Sequence, residues 1–156
     1  METLPAIIFD FENAVFLPKE DVRQMINEVE VIFKTLPQVD IPVKHYFSPG
    51  VYAREISIDK GTILIGKIHK NQTMNVISSG EVSVFSIDGV VRVQAPYTFV
   101  SSPGAKRIIY AHENSTWTTF HGTHETDVEK IEEEFIAKDY SEVNELYIEV
   151  KSKLEE

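Results

Sequence analysis

The sequence predicts a mainly β protein, a small barrel or jelly roll with helices on both sides of it. From residue 42 to residue 121, short apolar runs and period-two patterns are separated by Asp, Gly, Pro and Ser turns. Asp88-Gly89 is the best hairpin signal among these turns. Before and after this region, apolar residues recur at helical spacing. About seven or eight short strands in such an order are typical of a barrel or jelly roll.

Each predicted strand ends at turn residues. The predicted strands span residues 51–58, 62–69, 74–77, 81–87, 90–95, 107–111 and 116–120. Alternate residues of a strand share a face. If His69 points into the barrel, Lys67, Ile65 and Ile63 are therefore expected on the same face.

A helix is predicted before the barrel. Pro18 suits a first helical turn, and the apolar residues that follow keep helical spacing up to Pro37. These residues are Val22, Met25, Ile26, Val29, Phe33 and Leu36. We expect their stripe to cover the barrel or a partner subunit. Residues 3–17 predict an edge strand or an arm that docks on a neighbour.

Two helices are predicted after the barrel. Thr126-Asp-Val-Glu129 has the pattern of a capping box, with Val128, Ile131 and Phe135 on one helical face. The second helix is predicted from Ser141, with apolar residues at Val143, Leu146, Tyr147, Val150 and Leu154. The chain therefore divides into an arm and helix (1–41), a barrel (42–122) and C-terminal helices (123–156), within one domain.

Composition excludes several classes of function. The 156 residues contain no cysteine, which excludes disulfides and thiolate chemistry. A net charge of −10 argues against nucleic-acid binding, because phosphate contacts need clustered Lys and Arg. No apolar run approaches the roughly 18 residues that cross a bilayer, and the N-terminus lacks the positive start of a secretory signal. We expect a cytosolic protein that binds neither nucleic acid nor membrane.

Glycines and one histidine in the centre of the chain are spaced as in the first motif of the cupin superfamily. The matching residues are Gly61, Gly66, His69 and Gly80, and Pro103-Gly104 matches the turn of the second motif. The chain resembles cupins in this spacing. The resemblance implies a double-stranded β-helix or jelly-roll barrel with His69 pointing inward.

The metal ligands of the cupin pattern are mostly replaced in this chain. The replaced positions are Asn71 for a histidine, Thr73 or Met74 for a glutamate, and Lys106 or Arg107 for the last histidine. A transition metal needs three or four converging N, O or S donors, whereas an arginine is always cationic. We therefore expect no metal and no other cofactor.

A closer resemblance covers about residues 36–136. The stretches that carry it include Gly50-Val-Tyr52-Ala-Arg54-Glu55, Gly66-Lys67-Ile-His69-Lys70 and Pro-Gly-Ala-Lys-Arg107. They are similar to small cupin-like proteins encoded by tailed bacteriophages. This resemblance implies a viral protein that acts in the cytoplasm of a host bacterium, and it implies no catalytic residues.

Five side chains are predicted to form a ligand-binding site inside the barrel: Tyr52, Arg54, Lys67, His69 and Arg107. Such a cavity would favour a small anionic molecule. The alternative is structural, with His69 held by hydrogen bonds and Lys67 paired with Glu55 or Glu81, because buried cations need partners. If the protein is an enzyme, His69 is the expected base and Tyr52 or Tyr110 the expected acid.

A second histidine cluster offers an alternative metal site at His121 and His124, followed by Glu125 and Asp127. Histidine and carboxylate are suitable donors for zinc. Histidines three apart on a strand face opposite ways, however, so a solvated junction before a helix is the preferred interpretation. Trp117 is expected in core or interface packing.

Taken together, these features favour a non-metal binding protein over an enzyme. Its expected partner is a small anionic molecule or a host protein. Two alternatives remain: a metal-independent enzyme of the sugar-nucleotide epimerase or isomerase kind, and a structural or assembly protein of the virion. The apolar strips outside the barrel predict a homo-oligomer.

Overall fold

A computed structural model of the chain describes residues 18–143. The predicted arm at 3–17 and nearly all of the second C-terminal helix lie outside this range. Helix α1 spans Lys19–Phe33, helix α2 spans Val128–Phe135, and a 3-10 helix follows at Tyr140–Glu142. The strands are β1 Val43–Ser48, β2 Val51–Ile58, β3 Ile63–Ile65, β4 Ile68–His69, β5 Thr73–Ser79, β6 Glu81–Ser86, β7 Gly89–Gln94, β8 Tyr97–Ser101, β9 Ile108–Ala111, β10 Ser115–His121 and β11 Ile136–Ala137.

The strands of residues 18–143 form two main antiparallel sheets and a small third one. The five-stranded sheet has the order β1-β2-β10-β5-β8, and the four-stranded sheet has the order β3-β9-β6-β7. A two-stranded ladder joins β4 to β11. Successive strands cross between the two main sheets, as in a jelly roll. The predicted fold class, a mainly β jelly-roll barrel with flanking helices, is confirmed.

Strand boundaries follow the prediction except around Gly66. β2 has the predicted limits, and the Asp88-Gly89 hairpin joins β6 to β7 with Gly89 at φ 103°. The single strand predicted at 62–69 is wrong, because Gly66 and Lys67 separate β3 from β4. The expected alternation fails for the same reason: Leu64 packs on the core, whereas Ile63 is exposed. The predicted strands omit β1 and β8, which are the edges of the five-stranded sheet.

Helix α1 covers the outer face of the four-stranded sheet. Its stripe of Val22, Ile26 and Val29 packs on Phe85 and Ile108. The ammonium group of Lys106 donates to the Glu30 carboxylate and, at 3.2 Å, to Asn27 Oδ1. The apolar stripe therefore covers the barrel, which is one of the two predicted alternatives. Pro18 is the residue before the helix rather than part of its first turn.

Helix α2 begins one residue later than the predicted capping box. Asp127 caps it by accepting from the backbone amides of Glu129 and Lys130, so the Thr126 cap was wrong. Ile131 is the buried residue of this helix. Among residues 18–143, no helix is both long enough and apolar enough to cross a membrane.

One end of the barrel is filled by apolar side chains, and we call it the filled end. Its buried residues are Ile58, Ile77, Val82, Val84 and Ala111. Ile77 and Val82 have no exposed surface, and Ile58 has 1%. Such packing is that of an ordinary protein core.

Candidate functional site

The other end of the barrel, which we call the open end, contains a cavity of about 700 Å³. It lies between the two main sheets and is bordered by α2 and by the segment that follows α1. Inward-facing polar side chains line it, namely Tyr52, Arg54, His69, Arg107, Thr119 and His121. Its apolar wall includes Ile56, Ile109, Trp117, Ile131 and Phe135. A cavity of this size, mostly apolar with a few converging polar groups, is typical of small-molecule sites.

Strand register places the polar groups in rows across the five-stranded sheet. Tyr52 on β2 lies opposite His121 on β10, and Arg54 lies opposite Thr119. Residues directly opposite in an antiparallel pair share a face. Tyr52, Arg54, His121 and Thr119 therefore line the same wall of the cavity, as the sequence predicts for Tyr52 and Arg54.

Four aromatic rings stack along this wall. Phe47 lies 5.3 Å from Tyr52, Tyr52 lies 5.9 Å from His121, and His121 lies 5.7 Å from His69, measured between ring centroids. The two histidine rings are within 7° of parallel. The Tyr52 hydroxyl lies 2.6 Å from Nδ1 of His45, a histidine of the exposed strand β1. The stack fixes the ring orientations of His69 and His121 before any ligand arrives.

His69 is held by backbone contacts on two sides. Its carbonyl accepts from the Gly104 amide at 2.8 Å, and β4 pairs it with Ile136 of β11. Gly104 has φ 78°, a left-handed value that favours glycine, so the Pro103-Gly104 turn is needed for this approach. Among residues 18–143, His69 Nδ1 has no hydrogen-bond partner although the atom is buried.

Arg107 lines the cavity and immediately precedes β9 of the four-stranded sheet. It is 6% exposed, and its guanidinium lies 5.5 Å from the Trp117 ring and 5.8 Å from the Phe99 ring. Its carbonyl accepts from the Gly66 amide at 2.9 Å. One nitrogen, Nη2, finds no hydrogen-bond partner within residues 18–143. A buried cation with an unused donor is costly, and this is the feature of the site most in need of a ligand.

Below the cavity, a satisfied polar network holds Trp117. The side-chain oxygen of Asn75 accepts from Trp117 Nε1 at 3.1 Å and from the Thr119 hydroxyl at 3.2 Å. The Asn75 amide nitrogen donates to the Thr73 carbonyl at 3.1 Å. Asn75 has no exposed surface. Trp117 is therefore a fixed wall of the cavity as well as a core residue.

Burial keeps both cavity histidines neutral at pH 7. Burial, together with the nearby Arg107, His121 and Arg54 in that order of influence, lowers the pKa of His69 to about 3. Burial lowers the pKa of His121 to about 4, with a further contribution from Arg54. Burial also lowers the pKa of Arg107 to about 10, so this side chain stays cationic. The neutral histidines offer hydrogen bonds, while the arginines supply the charge.

The charge around the cavity is opposite to that of the chain. The charged residues that line the cavity are the cations Lys34, Arg54, Lys60, Lys67 and Arg107 and the carboxylates Glu30 and Glu132. The whole chain, by contrast, carries a net charge of −10. Low-dielectric walls of one sign concentrate the potential and raise the local concentration of a ligand of opposite charge. The lining of the cavity carries more cations than carboxylates.

All five predicted site residues line the cavity, but Lys67 and Arg54 are exposed, and Lys67 lies at its mouth rather than inside. The Lys67 side chain is 62% exposed, and its ammonium nitrogen lies 3.2 Å from Glu132 of α2. The expectation that it shares the inward face of His69 is wrong because the strand breaks at Gly66. Glu132, rather than Glu55 or Glu81, is its partner. Tyr110, the other candidate acid, packs on His112 and does not line the cavity.

His121 is the site residue that sequence reasoning missed. It is 7% exposed and lines the cavity, so the solvated junction expected at this position is wrong for His121. The signal was one residue away: His121 directly follows the predicted strand 116–120, and extending that strand by one residue gives it the alternation of Trp117 and Thr119. His124 is exposed and lies beside Gly50, away from the cavity.

The side chains at this site do not fit the metal site of the cupin pattern. Within residues 18–143, no group of three or more His, Cys, Asp or Glu side chains is placed to hold a metal ion. His69 and His121 converge, but the charged groups that act on them are arginines, namely Arg107 and Arg54 on His69 and Arg54 on His121. A cation in this position repels a metal ion and attracts an anion.

No family model and no curated protein matches this chain. Among solved structures, a conserved protein of unknown function from Streptococcus pyogenes is 20% identical with a TM-score of 0.45, over 58% of this chain and 80% of that one. A cupin superfamily protein from Desulfitobacterium hafniense is 11% identical with a TM-score of 0.46, over 56% and 81%. An acetylacetone dioxygenase from Acinetobacter johnsonii is 15% identical with a TM-score of 0.46, over 56% and 66%.

These identities and TM-scores are low, so the fold assignment rests on the strand order of this chain. That order is a jelly roll, as the sequence predicts. The activity of a structural neighbour is not transferred here, because one fold supports many unrelated functions.

Proposed function

We propose that this protein binds a small organic anion in the cavity at the open end of the barrel. The observation that carries the proposal is the buried guanidinium of Arg107, whose Nη2 lacks a partner within residues 18–143. A carboxylate or phosphate oxygen would accept from this donor. Charge-assisted bonds of this kind are among the strongest in proteins, and the planar guanidinium suits both groups.

The remaining walls describe the rest of the ligand. Ile56, Ile109 and Trp117 offer an apolar surface next to Arg107. His69 and His121, both neutral at pH 7, add hydrogen-bonding groups beside it. A ligand with an anionic head and a short apolar body satisfies all three parts of the cavity.

The test is calorimetric titration of the full chain with small carboxylates, using wild type, Arg107→Gln and the control Arg92→Gln. Arg92 lies on β7 outside the cavity and pairs with Glu81 at 2.9 Å. We expect Arg107→Gln to weaken binding by about 10- to 100-fold, as expected for the loss of one charge-assisted bond. Arg92→Gln should leave the affinity unchanged. Equal binding by wild type and Arg107→Gln would exclude the proposal.

An isomerase-like enzyme is a second candidate, favoured by one observation. Tyr52 is 2% exposed, its hydroxyl contacts His45, and burial raises its pKa, so it is a protonated group positioned at the cavity. His69, the expected base, has a pKa of about 3 and is a weak base at neutral pH. Binding therefore fits the site better than catalysis. A turnover that Tyr52→Phe and His69→Gln abolish at unchanged melting temperature would reverse this order.

The phage origin and the host cytoplasm implied by the sequence resemblance belong to the same proposal. A small protein that captures a host metabolite, or a host protein, would act during infection. Native mass spectrometry of untagged protein from its natural host tests this directly. A reproducible added mass supports a small ligand, whereas detection of the chain in purified virions would favour the structural alternative.

A further inference from the structure

Two arginines reach the cavity from opposite sheets. Arg54 belongs to β2 of the five-stranded sheet, and Arg107 immediately precedes β9 of the four-stranded sheet. Both line the same cavity. They influence different neighbours: Arg54 acts on Tyr52 and His121, Arg107 lies over Phe99 and Trp117, and both act on His69. His69 therefore feels two positive charges that come from opposite sheets.

Neither arginine forms an ion pair within the described part of the protein, and Asp88 acts on Arg107 only enough to offset part of the lowering of its pKa. The ion pairs within residues 18–143 include those of Lys34, Lys60, Lys67, Lys70, Arg92 and Lys106. Within the same residues, neither Arg54 nor Arg107 is bonded to a carboxylate. The other cations of the cavity differ in this respect, since Lys34, Lys60 and Lys67 each pair with a glutamate. Arg107 is buried, whereas Arg54 is exposed, so the missing partner is costly at Arg107 and leaves Arg54 available to a ligand from the solvent side.

We propose that the ligand of this cavity is a dicarboxylate, with one carboxylate held by Arg107 and the other by Arg54. This inference depends on the proposed function, because it assigns two negative charges to the anion proposed above. The wall between the arginines favours two separate anionic groups, since Ile56, Ile109 and Trp117 accommodate an apolar spacer. A planar carboxylate also matches Arg107, whose faces lie against two rings and whose edge is free.

The experiment compares dicarboxylates with monocarboxylates of the same chain length: succinate with butyrate, glutarate with pentanoate, and adipate with hexanoate. Affinities are measured by calorimetry on the full chain at fixed ionic strength, because exposed charges are screened by salt. We expect at least one dicarboxylate to bind about 10- to 100-fold more tightly than its monocarboxylate. Arg54→Gln should abolish this preference by weakening the dicarboxylate far more than the monocarboxylate. Arg107→Gln should weaken both.

Arg92→Gln is the matched control for a general loss of positive charge, and it should retain the preference. Inorganic phosphate provides the other comparison, because its two charges lie on one group. Phosphate that binds more tightly than every dicarboxylate would contradict the proposal, and so would a preference that survives Arg54→Gln. Monocarboxylates that bind as tightly as dicarboxylates would exclude this inference and leave the proposed function intact. Failure of every anion to bind would exclude both.

Discussion

Strand β2 passes through both ends of the barrel, and its inward-facing residues change character along its length. Tyr52 and Arg54 line the cavity, Ile56 borders it, and Ile58 belongs to the filled end. The filled end is apolar, and Asn75 beside it has partners for both its oxygen and its nitrogen. At the open end, Nδ1 of His69 and Nη2 of Arg107 have none within residues 18–143. Since buried polar atoms are nearly always satisfied, these two atoms favour a ligand at the open end.

The difference between the two ends separates stability from function. Apolar burial at the filled end stabilises the fold. The cationic groups of the open end are expected to contribute little to stability and most of the binding. A substitution at the filled end should therefore lower stability more than anion binding. A substitution of similar size at the open end should lower anion binding more than stability.

The largest effect on stability is expected at the filled end. Ile77→Ala removes a side chain with no exposed surface and should lower the free energy of unfolding by about 2–5 kcal/mol. Ile63→Ala makes the same chemical change at a residue that is 46% exposed, and it should cost much less. Urea unfolding measures both. Similar losses for the two variants would contradict the assignment of Ile77 to a packed core.

Arg107→Met, at the open end, should affect anion binding and change stability little. It removes a buried cation and retains an apolar chain beside Trp117 and Phe99. The lost ring contacts are worth about 0.5–2 kcal/mol, and removal of the charge offsets them, so the free energy of unfolding should change by about 1 kcal/mol or less. Anion binding should be lost. A destabilisation as large as that of Ile77→Ala would show that Arg107 has a structural role instead.

Acid should weaken the open end selectively. The folded-state pKa values of His69 and His121, about 3 and about 4, lie below the 6.5 of an unfolded histidine. Between these values the unfolded chain binds more protons, so the free energy of unfolding falls as the pH falls below about 6.5. Above that pH the contribution is fully present. The charged groups that act on His69 are Arg107 and Arg54, and both oppose its protonation.

Two measurements test this pH dependence. Wild type should lose more stability between neutral and mildly acidic pH than His69→Gln, because the variant lacks one titrating group. In NMR titrations, a bound dicarboxylate should raise the pKa of His69, since an anion stabilises the protonated ring. A His69 pKa near 6.5 in the ligand-free protein would contradict its burial near two arginines.

Sequence reasoning predicted the fold and the inward position of most site residues, because alternation along regular strands is a local property. β2 shows this, since its limits and its inward face both follow the pattern. Lys67 was misplaced because a strand break at Gly66 reverses the alternation, and a period-two pattern does not report such breaks. The Thr126 cap was wrong by one residue because Asp127 is an equally good capping residue.

The cavity itself was beyond the reach of the pattern. Whether a barrel is filled or open depends on how closely side chains from its two sheets approach each other. The alternation along one strand does not report the distance between two sheets. His121 illustrates the difficulty. Its role follows from its stacking on His69, which is 52 residues away and lies in a strand of a different sheet. The pairing of Lys67 with Glu132 is similarly non-local.

The smallest effect on stability is expected for substitutions on the outer face of the five-stranded sheet. An apolar row crosses all five strands there, formed by Tyr46, Ala53, Phe120, Met74 and Val100. Met74 is 52% exposed and Val100 is 58% exposed. The homo-oligomer expected from the sequence remains a prediction, and we expect a second copy of the chain on this row. Lys44 and Glu55, opposite each other in the next row, would provide complementary charges in a two-fold pair.

Met74→Lys tests this interface at little cost to the fold, because surface substitutions usually change stability by less than about 0.5 kcal/mol. Light scattering at micromolar concentration should report a dimer for wild type and a monomer for Met74→Lys. Val91→Lys, at a residue 42% exposed on the four-stranded sheet, should remain dimeric. Anion affinity should be the same in all three proteins, because the row faces away from the cavity. A monomeric wild type would exclude the interface, whereas a loss of affinity in Met74→Lys would show that the open end depends on the second copy.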